Sequence, residues 1–319
     1  MTATVIPQTS AGIKVEPLQY ALGAYVTGVD LRRLDDAAFA AIHAAWLEHL
    51  VIVIRGQQIG DDDLTAFSSR FGVLDEVPIV SKGQAPRYNK HISVISNIRE
   101  KGVPIGGLGD DEVLWHSDTS YRDQPPSASV LQAREIPPAG GNTGFSNMYL
   151  ALETLPPEMR SRIDKLTANQ DITYTAGGEL REGFTPVTDV RKCPGATHPL
   201  IRTHPETKRN ALYLGRRRNA YIHGLEVAES EALLDTLWAH ATQNFLAWHH
   251  QWRVGDVAVW DNRCVMHHRD PFDPQGRRIM HRAQARDGKR PARDVAAEMA
   301  PHPRGQRYLA AQVSRQKGK

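Results

Sequence analysis

Residues 256–285, DVAVWDNRCVMHHRDPFDPQGRRIMHRAQA, decide the fold class of this chain. DVAVWDN, which follows a Gly-Asp turn, and RRIMHRAQA are both predicted to be strands, as is FLAWHHQW just before them. Short strands are also predicted through the centre of the chain, and strand and helix do not alternate regularly. This pattern disfavours a doubly wound parallel sheet. It predicts a mixed α+β, mainly β fold, either a β-sandwich or a jelly roll, with flanking and inserted helices.

Hydrophobic periodicity places the remaining elements around these strands. Helices are predicted where apolar residues recur every three or four positions, at 35–50, 60–72, 157–166 and 228–243. Further strands are predicted at 51–55, 91–98, 127–136 and 143–149, and 198–214 is predicted to form a hairpin. The glycine-rich stretch 101–112 is expected to be a mobile loop of the kind that closes over binding sites.

The composition is that of an ordinary globular chain. Of its 319 residues, 40% are apolar, and 39 basic and 36 acidic side chains leave a formal charge of +3. That balance provides no strong field for a nucleic acid or a membrane surface. The longest apolar run, LVIVI at 50–54, is far too short to cross a bilayer. The chain begins without a signal-peptide pattern and has only Cys193 and Cys264, so a reducing cytoplasm is expected.

The stretch LWHSDTSY, residues 114–121, sets His116 and Asp118 one residue apart. On a strand, residues i and i+2 point to the same face, so a nitrogen and an oxygen could be aimed at one point. For this motif alone, a hydrogen-bonded pair on a surface strand is the simpler interpretation. A metal site needs further ligands from elsewhere in the chain.

Further candidate ligands lie at 260–282. His267 or His268 offers a second imidazole, and Arg278 and Arg282 lie on one face of the last predicted strand. If that face is buried, each guanidinium needs an anion such as a carboxylate, whereas an exposed edge strand would need none. Two imidazoles and one carboxylate with open positions suit Fe(II), although a zinc hydrolase could use the same ligands.

Taken together, these motifs resemble the Fe(II)/2-oxoglutarate-dependent dioxygenases of the taurine dioxygenase family, especially its chlorophenoxyacetate dioxygenase branch (TauD/TfdA). The resemblance covers roughly residues 14–288 and includes GAYVTGVDL, FSSRFG, LWHSD, PPAGGNTGFSNMYLALETLP, HPLIRTHPETKRNALYL, GDVAVWDNRCVMHH and RRIMHRA. The ordered combination of His-x-Asp, WDNR-x-x-x-H and R-x-x-x-R is the specific part. The resemblance implies a double-stranded β-helix, which is a jelly roll.

The resemblance also implies roles for individual residues. It makes three residues the iron ligands, namely His116, Asp118 and His267. His267 is chosen over its neighbour because it lies five residues after Asn262. Thr143 would help to hold 2-oxoglutarate, Arg278 would clamp the far carboxylate of that co-substrate, and Trp260 would line its pocket. Arg282 would meet the anionic group of the primary substrate.

The implied activity is the hydroxylation of a small organic acid, aryloxyalkanoate-like or another carboxylate, with 2-oxoglutarate and O₂ as co-substrates and with release of succinate and CO₂. The hydroxylated product would fall apart if the oxidised carbon carries a leaving heteroatom. Asp118 argues against the related halogenases, which carry a small residue at this position. Val77 and Glu112 stand where taurine-specific members carry His and Asn, which argues against taurine. The alternatives are an alkylsulfonate or taurine-type dioxygenase and a non-enzymatic jelly-roll binding protein.

One dioxygenase domain is expected at 13–288, between a flexible N-terminus at 1–12 and a basic C-terminal extension at 289–319 that is interpreted as a peripheral tail. A homo-oligomer, dimer or tetramer, is expected because such assemblies are common among members of this family. Four basic residues of the variable stretch could contact a substrate carboxylate, although most are expected to be solvated: Lys82, Arg87, Lys90 and Arg99. His249 and His250 are expected to be structural. The basic cluster Arg216, Arg217 and Arg218 is expected to be a solvated turn or a subunit contact rather than a phosphate site.

Overall fold

A computed structural model describes residues 12–77, 89–108, 113–175, 177–297 and 305–311. The helices are α1 (Asp36–His49), α2 (Asp61–Ser69), α3 (Met148–Glu153), α4 (Pro157–Ile163) and α5 (Val227–Ala241). The first strands are β1 (Lys14–Pro17), β2 (Ala24–Thr27), β3 (Val51–Ile54), β4 (Val73–Leu74), β5 (Ser93–Ser96), β6 (Arg99–Glu100), β7 (Val103–Pro104), β8 (Gly107–Leu108), β9 (Val113–His116) and β10 (Ala128–Glu135). The later strands are β11 (Thr143–Asn147), β12 (Thr167–Asn169), β13 (Thr197–Pro199), β14 (Ile201–Thr203), β15 (Asn210–Leu212), β16 (Tyr221–Ile222), β17 (Ala247–His250), β18 (Val257–Asp261), β19 (Val265–Arg269) and β20 (Ile279–Arg286).

Two sheets form the body of the protein. The larger sheet has the order β1-β2-β3-β18-β10-β20-β5-β8, and β4 pairs with β20. The smaller sheet has the order β17-β11-β19-β9. Most neighbours are antiparallel, while β2 with β3 and β5 with β8 are parallel. The prediction of a mixed, mainly β protein is therefore confirmed.

Aromatic rings join the two sheets face to face. Phe145 of β11 lies 5.6 Å from Trp260 of β18, measured between ring centroids, and both side chains are fully buried. His267 of β19 also contacts Trp260, at 4.7 Å. Burying a large apolar side chain contributes roughly 2–3 kcal/mol, so this contact helps to hold the sheets together. The Trp260 ring also forms one wall of the buried space around His267.

Helices pack against both sheets: α1 and α2 contact strands of the larger sheet, and α3 contacts β11 of the smaller one. Asp35 caps α1, since its carboxylate accepts a hydrogen bond from the Ala38 amide at 2.7 Å. The buried side of α1 includes Ile42 and Trp46, which pack in a core with Ile52 of β3. Within the described residues, no helix is both long enough and apolar enough to span a membrane.

The helices predicted at 35–50, 60–72, 157–166 and 228–243 are confirmed by α1, α2, α4 and α5, with ends that differ by at most three residues. The strands at 51–55, 91–98 and 127–136 are likewise found as β3, β5 and β10, and the hairpin at 198–214 is found as β14 and β15.

Three predictions of local structure were wrong or incomplete. The strand predicted over 143–149 stops at Asn147, because the Asn147 side chain accepts from the Leu150 amide and starts α3. The strand β19 was missed, since His-His-Arg does not look like a buried strand. The described part of 101–112 is not a simple loop, because β6 and β7 form a hairpin and β8 joins β5. Residues 109–112 lie outside the described residues.

The chain after residue 288 folds back onto the body over the part that the structure describes. Arg293 forms an ion pair with Asp164 at 3.0 Å, and the Thr203 amide donates to the Ala292 carbonyl at 2.8 Å. Residues 305–311 are helical, and Tyr308 packs against the main core. These contacts disagree with the interpretation of the extension as a peripheral tail.

Candidate metal centre and co-substrate pocket

Two neighbouring strands of the smaller sheet bring His116 and His267 together. His116 is the last residue of β9, and His267 lies in the middle of β19. The two are directly paired in the antiparallel register, so their side chains point to the same face and their ring centroids lie 4.2 Å apart. Asp118 follows β9 by two residues and turns back toward the same point.

The three side chains converge as a metal site requires. The Nε2 atom of His116 lies 3.7 Å from Oδ1 of Asp118, and the Nε2 atom of His267 lies 3.9 Å from Oδ2. The candidate ligand atoms all lie within 4.8 Å of one another, and all three residues are buried. Two imidazoles and a carboxylate in this arrangement suit Fe(II) with further positions left open.

The hydrogen bonds of the two histidines differ. The Nδ1 atom of His116 is 2.8 Å from the carbonyl of Leu114, to which it must donate, and this contact selects the neutral tautomer that carries its lone pair on Nε2. Burial, with the nearby His116 ring, holds the pKa of His267 well below its ordinary value. A metal can therefore bind His267 at neutral pH without first displacing a proton.

Asp118 is held as a charged carboxylate. Although burial alone would raise the pKa of Asp118, Arg282 and the two histidines lower it well below the usual range. Nη1 of Arg282 donates to Oδ1 at 3.0 Å, and the Ser129 hydroxyl donates to Oδ2 at 2.8 Å. Both oxygens are thus oriented before any ligand binds.

A hydrogen-bond network behind Asp118 directs the Ser129 hydroxyl. Ser129 Oγ accepts from Asn262 Nδ2 at 2.8 Å and from Gln284 Nε2 at 3.1 Å, so its own proton is left for Asp118. Asn262 in turn accepts from Trp260 Nε1 at 2.9 Å. Sequence reasoning missed Ser129 and Gln284. Their signal was two polar residues inside central strands, which become direct neighbours in the register of β10 and β20.

Arg278 is a buried cation. Its residue is 2% exposed, its backbone amide donates to Asn97, and among the described residues no carboxylate lies within ion-pair distance of its guanidinium. Burial, together with the neighbouring charge of Arg269, lowers its pKa to about 9. An unpaired buried guanidinium is costly, so an anion would be bound favourably at this position.

Thr143 and Trp260 occupy buried positions on the two facing sheets. Trp252 Nε1 donates to Thr143 Oγ1 at 3.0 Å, which leaves the hydroxyl proton of Thr143 available for an anion. The Trp260 ring lies against His267 and its nitrogen holds Asn262, so in this structure it supports the metal-site residues directly. A dianionic keto acid fits this donor set, since carboxylates are the natural partners of a guanidinium and a hydroxyl.

Four other basic residues were candidates for contact with a substrate carboxylate, and the structure describes two of them, Lys90 and Arg99. Lys82, Arg87 and Glu112 lie outside the described residues. Lys90 is exposed and pairs with Glu76, and Arg99 is exposed and bonds the carbonyl of Gly102, so both are solvated as expected.

The arginines at 216–218 do not form a cluster. Arg216 is partly buried over the Tyr121 ring and donates to the Tyr174 carbonyl, which contradicts the expected solvated turn for this residue. The other two arginines have separate partners: Arg217 pairs with Glu231 and Asp235, and Arg218 lies over the Tyr174 ring. His250 is structural as expected, since it is buried and bonded to Asp256 at 3.1 Å.

Comparison with known proteins identifies the family. Residues 14–284 match the family model described as taurine catabolism dioxygenase TauD, TfdA family. The chain is 33% identical to an (S)-phenoxypropionate/alpha-ketoglutarate-dioxygenase of Sphingobium herbicidovorans, over 85% of this chain and 94% of that one. It is also 33% identical to an alpha-ketoglutarate-dependent 2,4-dichlorophenoxyacetate dioxygenase of Cupriavidus pinatubonensis, over 86% and 98%.

Solved structures agree with this result. The crystal structure of AAD-2 in complex with Mn(II) and N-oxalylglycine has a TM-score of 0.73 and 32% identity, covering 88% of this chain and 99% of that one. A putative alpha-ketoglutarate-dependent taurine dioxygenase from Burkholderia xenovorans has a TM-score of 0.71 and 30% identity, covering 92% and 98%. The chain therefore belongs to the TauD/TfdA family and is a 2-oxoglutarate-dependent dioxygenase that uses Fe(II) and O₂.

Proposed function

We propose that this enzyme hydroxylates a small organic acid, with His116, Asp118 and His267 as the Fe(II) ligands. Bound iron, together with 2-oxoglutarate and O₂, supplies the oxidising power to replace a C–H bond of the substrate by C–OH. The observation that carries the proposal is the buried Arg278, which has no carboxylate partner among the described residues. It immediately precedes β20, the strand whose Arg282 contacts Asp118 of the convergent triad. A carboxylate of 2-oxoglutarate would supply the missing counter-charge.

The chain's own residues would prepare the site in three ways. The Leu114 carbonyl sets the tautomer of His116, and Ser129 orients Asp118. Arg278 would grip the far carboxylate of 2-oxoglutarate in a bidentate manner, while Thr143 would donate to a carboxylate oxygen. Trp260 would line this pocket and keep water away from His267, against which its ring already packs.

Arg282 supports an anionic primary substrate. Its guanidinium lies at the metal site, in contact with Asp118, and its Nε has no hydrogen-bond partner among the described residues. The relatives are named for phenoxypropionate, 2,4-dichlorophenoxyacetate and sulfate esters, all of which are anions. We therefore assign Arg282 to the anionic group of an aryloxyalkanoate-like or other carboxylate. Cleavage would follow hydroxylation where the oxidised carbon carries an ether oxygen.

An alkylsulfonate or taurine-type substrate is the second candidate, because a sulfonate would also satisfy Arg282. The chain is also 29% identical to an alkylsulfatase of Acinetobacter baylyi, whose name indicates a sulfate ester, a related sulfur oxyanion rather than a sulfonate. Membership of a dioxygenase family argues against the zinc hydrolase and against the non-enzymatic binding protein.

The proposal also covers the core fold, the domain bounds, the oligomeric state and the cellular location. The two facing, mostly antiparallel sheets support a double-stranded β-helix, or jelly roll, as the core. We assign residues 13–288 to one dioxygenase domain, with 1–12 as a flexible N-terminus and with 289–319 as a basic C-terminal extension that packs on the domain. A homo-oligomer in the cytoplasm completes the proposal.

A substrate screen tests the function. Iron-loaded enzyme would be incubated with 2-oxoglutarate and, in turn, with 2,4-dichlorophenoxyacetate, (S)-phenoxypropionate, taurine and an alkyl sulfate, and succinate would be measured. We expect an aryloxyalkanoate to stimulate succinate release above the rate without substrate. Faster turnover of taurine would favour the second candidate, and no succinate with any acid would contradict the proposal.

A variant at Arg282 tests its assigned role. Arg282→Ala should raise the KM for the acid much more than the KM for 2-oxoglutarate, because a direct contact to the acid is lost. Arg286→Ala is the matched control, since Arg286 lies four residues further along β20 and pairs with Asp75 at 2.6 Å, away from the metal. An unchanged KM for the acid in Arg282→Ala would remove Arg282 from the substrate pocket.

A further inference from the structure

The outer face of the smaller sheet carries a second group of metal-ligating side chains. His249, His268 and Asp270 each offer a ligand atom, and these atoms lie within 4.8 Å of one another. Strands alternate their side chains between two faces, so His268 points away from the centre that contains its neighbour His267. The His-His pair of β19 therefore serves opposite faces of one sheet.

The backbone arrangement explains how two histidines from non-adjacent strands meet. His249 of β17 and His268 of β19 both pair with Gly144 of β11, which lies between them. Their Cα atoms are thus two strand spacings apart, about 10 Å. Their ring centroids are nevertheless 4.9 Å apart, because both imidazoles lean over the glycine.

Gly144 is required for this convergence. A Cβ atom built at this position would lie 2.3 Å from Nε2 of His268 and 3.2 Å from Cε1 of His249. Any other residue would push the rings apart. The glycine thus clears the space in which the two imidazoles and Asp270 face one another.

The group also has unsatisfied ligand capacity. His268 is 6% exposed, and within the described part of the chain neither of its ring nitrogens has a hydrogen-bond partner. Its Nε2 lies 3.6 Å from Oδ1 of Asp270, and Nδ1 of His249 lies 3.7 Å from the same oxygen. Ligand atoms in a tetrahedral zinc site lie about 3.3 Å apart, so small side-chain shifts would complete the geometry.

A different histidine–carboxylate group in the core shows what a purely structural cluster looks like. His204 Nε2 bonds Asp261 at 2.9 Å, while His204 Nδ1 accepts from the amides of Glu206 and Thr207. Arg263 also holds Asp261. That ring has no lone pair to offer, whereas His268 has one.

We propose that His249, His268 and Asp270 form a second cation site, separate from the catalytic centre, that binds Zn²⁺ or a similar divalent transition metal. Two imidazole nitrogens and one carboxylate oxygen suit such a cation. The exposed side of His249 leaves a fourth position for water. A metal here would tie β17 to β19 across β11, and would brace the strand that carries His267.

Zinc stoichiometry tests the proposal. Metal-free enzyme would be dialysed against buffered Zn²⁺, and bound zinc would be counted by mass spectrometry. We expect two equivalents in the wild type, because the catalytic triad also binds Zn²⁺, and one equivalent in His249→Ala or Asp270→Asn. His223→Ala, which removes another exposed histidine, should still bind two.

Asp118→Ala separates this inference from the proposed function. It should lose the catalytic equivalent and keep the outer one, which should appear as an anomalous-scattering peak between His249, His268 and Asp270 in zinc-soaked crystals. One equivalent in the wild type that Asp118→Ala abolishes would overturn the second site and leave the catalytic proposal standing. If the wild type binds one equivalent, and His249→Ala abolishes it while Asp118→Ala does not, the second site is supported and the catalytic triad is contradicted as a zinc site.

Discussion

Arg263 and Arg278 are both 2% exposed, but their surroundings are opposite. Arg263 donates to both oxygens of Asp261 at 2.8 Å and to Glu206 at 2.6 Å, and also pairs with Asp287 at 3.2 Å. Although burial alone would lower the pKa of Arg263, these carboxylates raise it above its ordinary value. For Arg278 burial prevails, and the pKa falls to about 9.

This difference separates an arginine that serves the fold from one that serves a ligand. Arg263 is neutralised by the chain itself, so its charge is part of the core of the folded protein. Arg278 has a second cation, Arg269, as its charged neighbour, and no carboxylate of the described residues neutralises it, which is why we assign it to a bound anion. The same side chain at the same burial is therefore expected to affect stability in one place and binding in the other.

Removing Arg263 should produce a large loss of stability. Arg263→Met leaves Asp261 buried with an unpaired charge, which should lower the free energy of unfolding by about 3–5 kcal/mol. Urea denaturation at neutral pH measures the change. Arg290→Met, which breaks an exposed ion pair with Asp123, should cost less than about 1 kcal/mol. Equal losses in the two variants would show that Arg263 is not a structural charge.

Removing Arg278 should affect binding instead. Arg278→Met should weaken 2-oxoglutarate binding by about 2–4 kcal/mol, a factor of roughly 30 to 1000, because a buried charge-assisted contact is lost. The free energy of unfolding without 2-oxoglutarate should stay equal or rise, since an unpaired buried charge disappears. Calorimetric titration and urea denaturation measure the two quantities. A Kd within twofold of the wild type would refute the assigned role.

Ser129 tests whether positioning alone matters at the metal site. Ser129→Ala removes the donor that orients Asp118, and should weaken Fe(II) binding by about 10- to 100-fold. Anaerobic competition with a chromophoric chelator measures the affinity. Ser127→Ala is the control, because the Ser127 hydroxyl is also buried but donates to the Ala285 carbonyl. An Fe(II) affinity unchanged in Ser129→Ala would mean that Arg282 alone fixes Asp118.

His204 and Asp261, which lie beside Arg263, predict that the stability of the protein depends on pH. Burial lowers the pKa of His204, so protonation favours the unfolded chain, and stability falls as the pH drops below about 6.5, the unfolded value. The lowered pKa of Asp261 adds a further loss below about 4. His204→Gln should be less stable at pH 7 but lose less between pH 7 and pH 5. Urea denaturation at several pH values measures this loss. If the free energy of unfolding of His204→Gln falls as steeply with pH as that of the wild type, the assignment to His204 is contradicted.

Local sequence was sufficient to predict α1, α2, α4 and α5, several of the longer strands and the types of ligand. Apolar periodicity decides α1 and α5 within a single segment, and the order of His116, Asp118 and His267 in their motifs carries the family resemblance. Helix periodicity and the spacing of ligands within a motif depend only on residues that are close together in the sequence. Both can therefore be deduced from a single segment of the chain.

The tertiary structure decided which partners each side chain meets. Ser129 becomes the orienting donor of Asp118 only because β10 lies between β18 and β20. Asn262, which follows β18, and Gln284 of β20 both donate to the Ser129 oxygen, so the hydroxyl proton is left for Asp118. Gly144 brings His249 and His268 together only because β11 lies between their strands. Whether a buried arginine finds a carboxylate depends on residues far away in the sequence. Pairing between distant strands sets that outcome, and no periodicity within one segment encodes it.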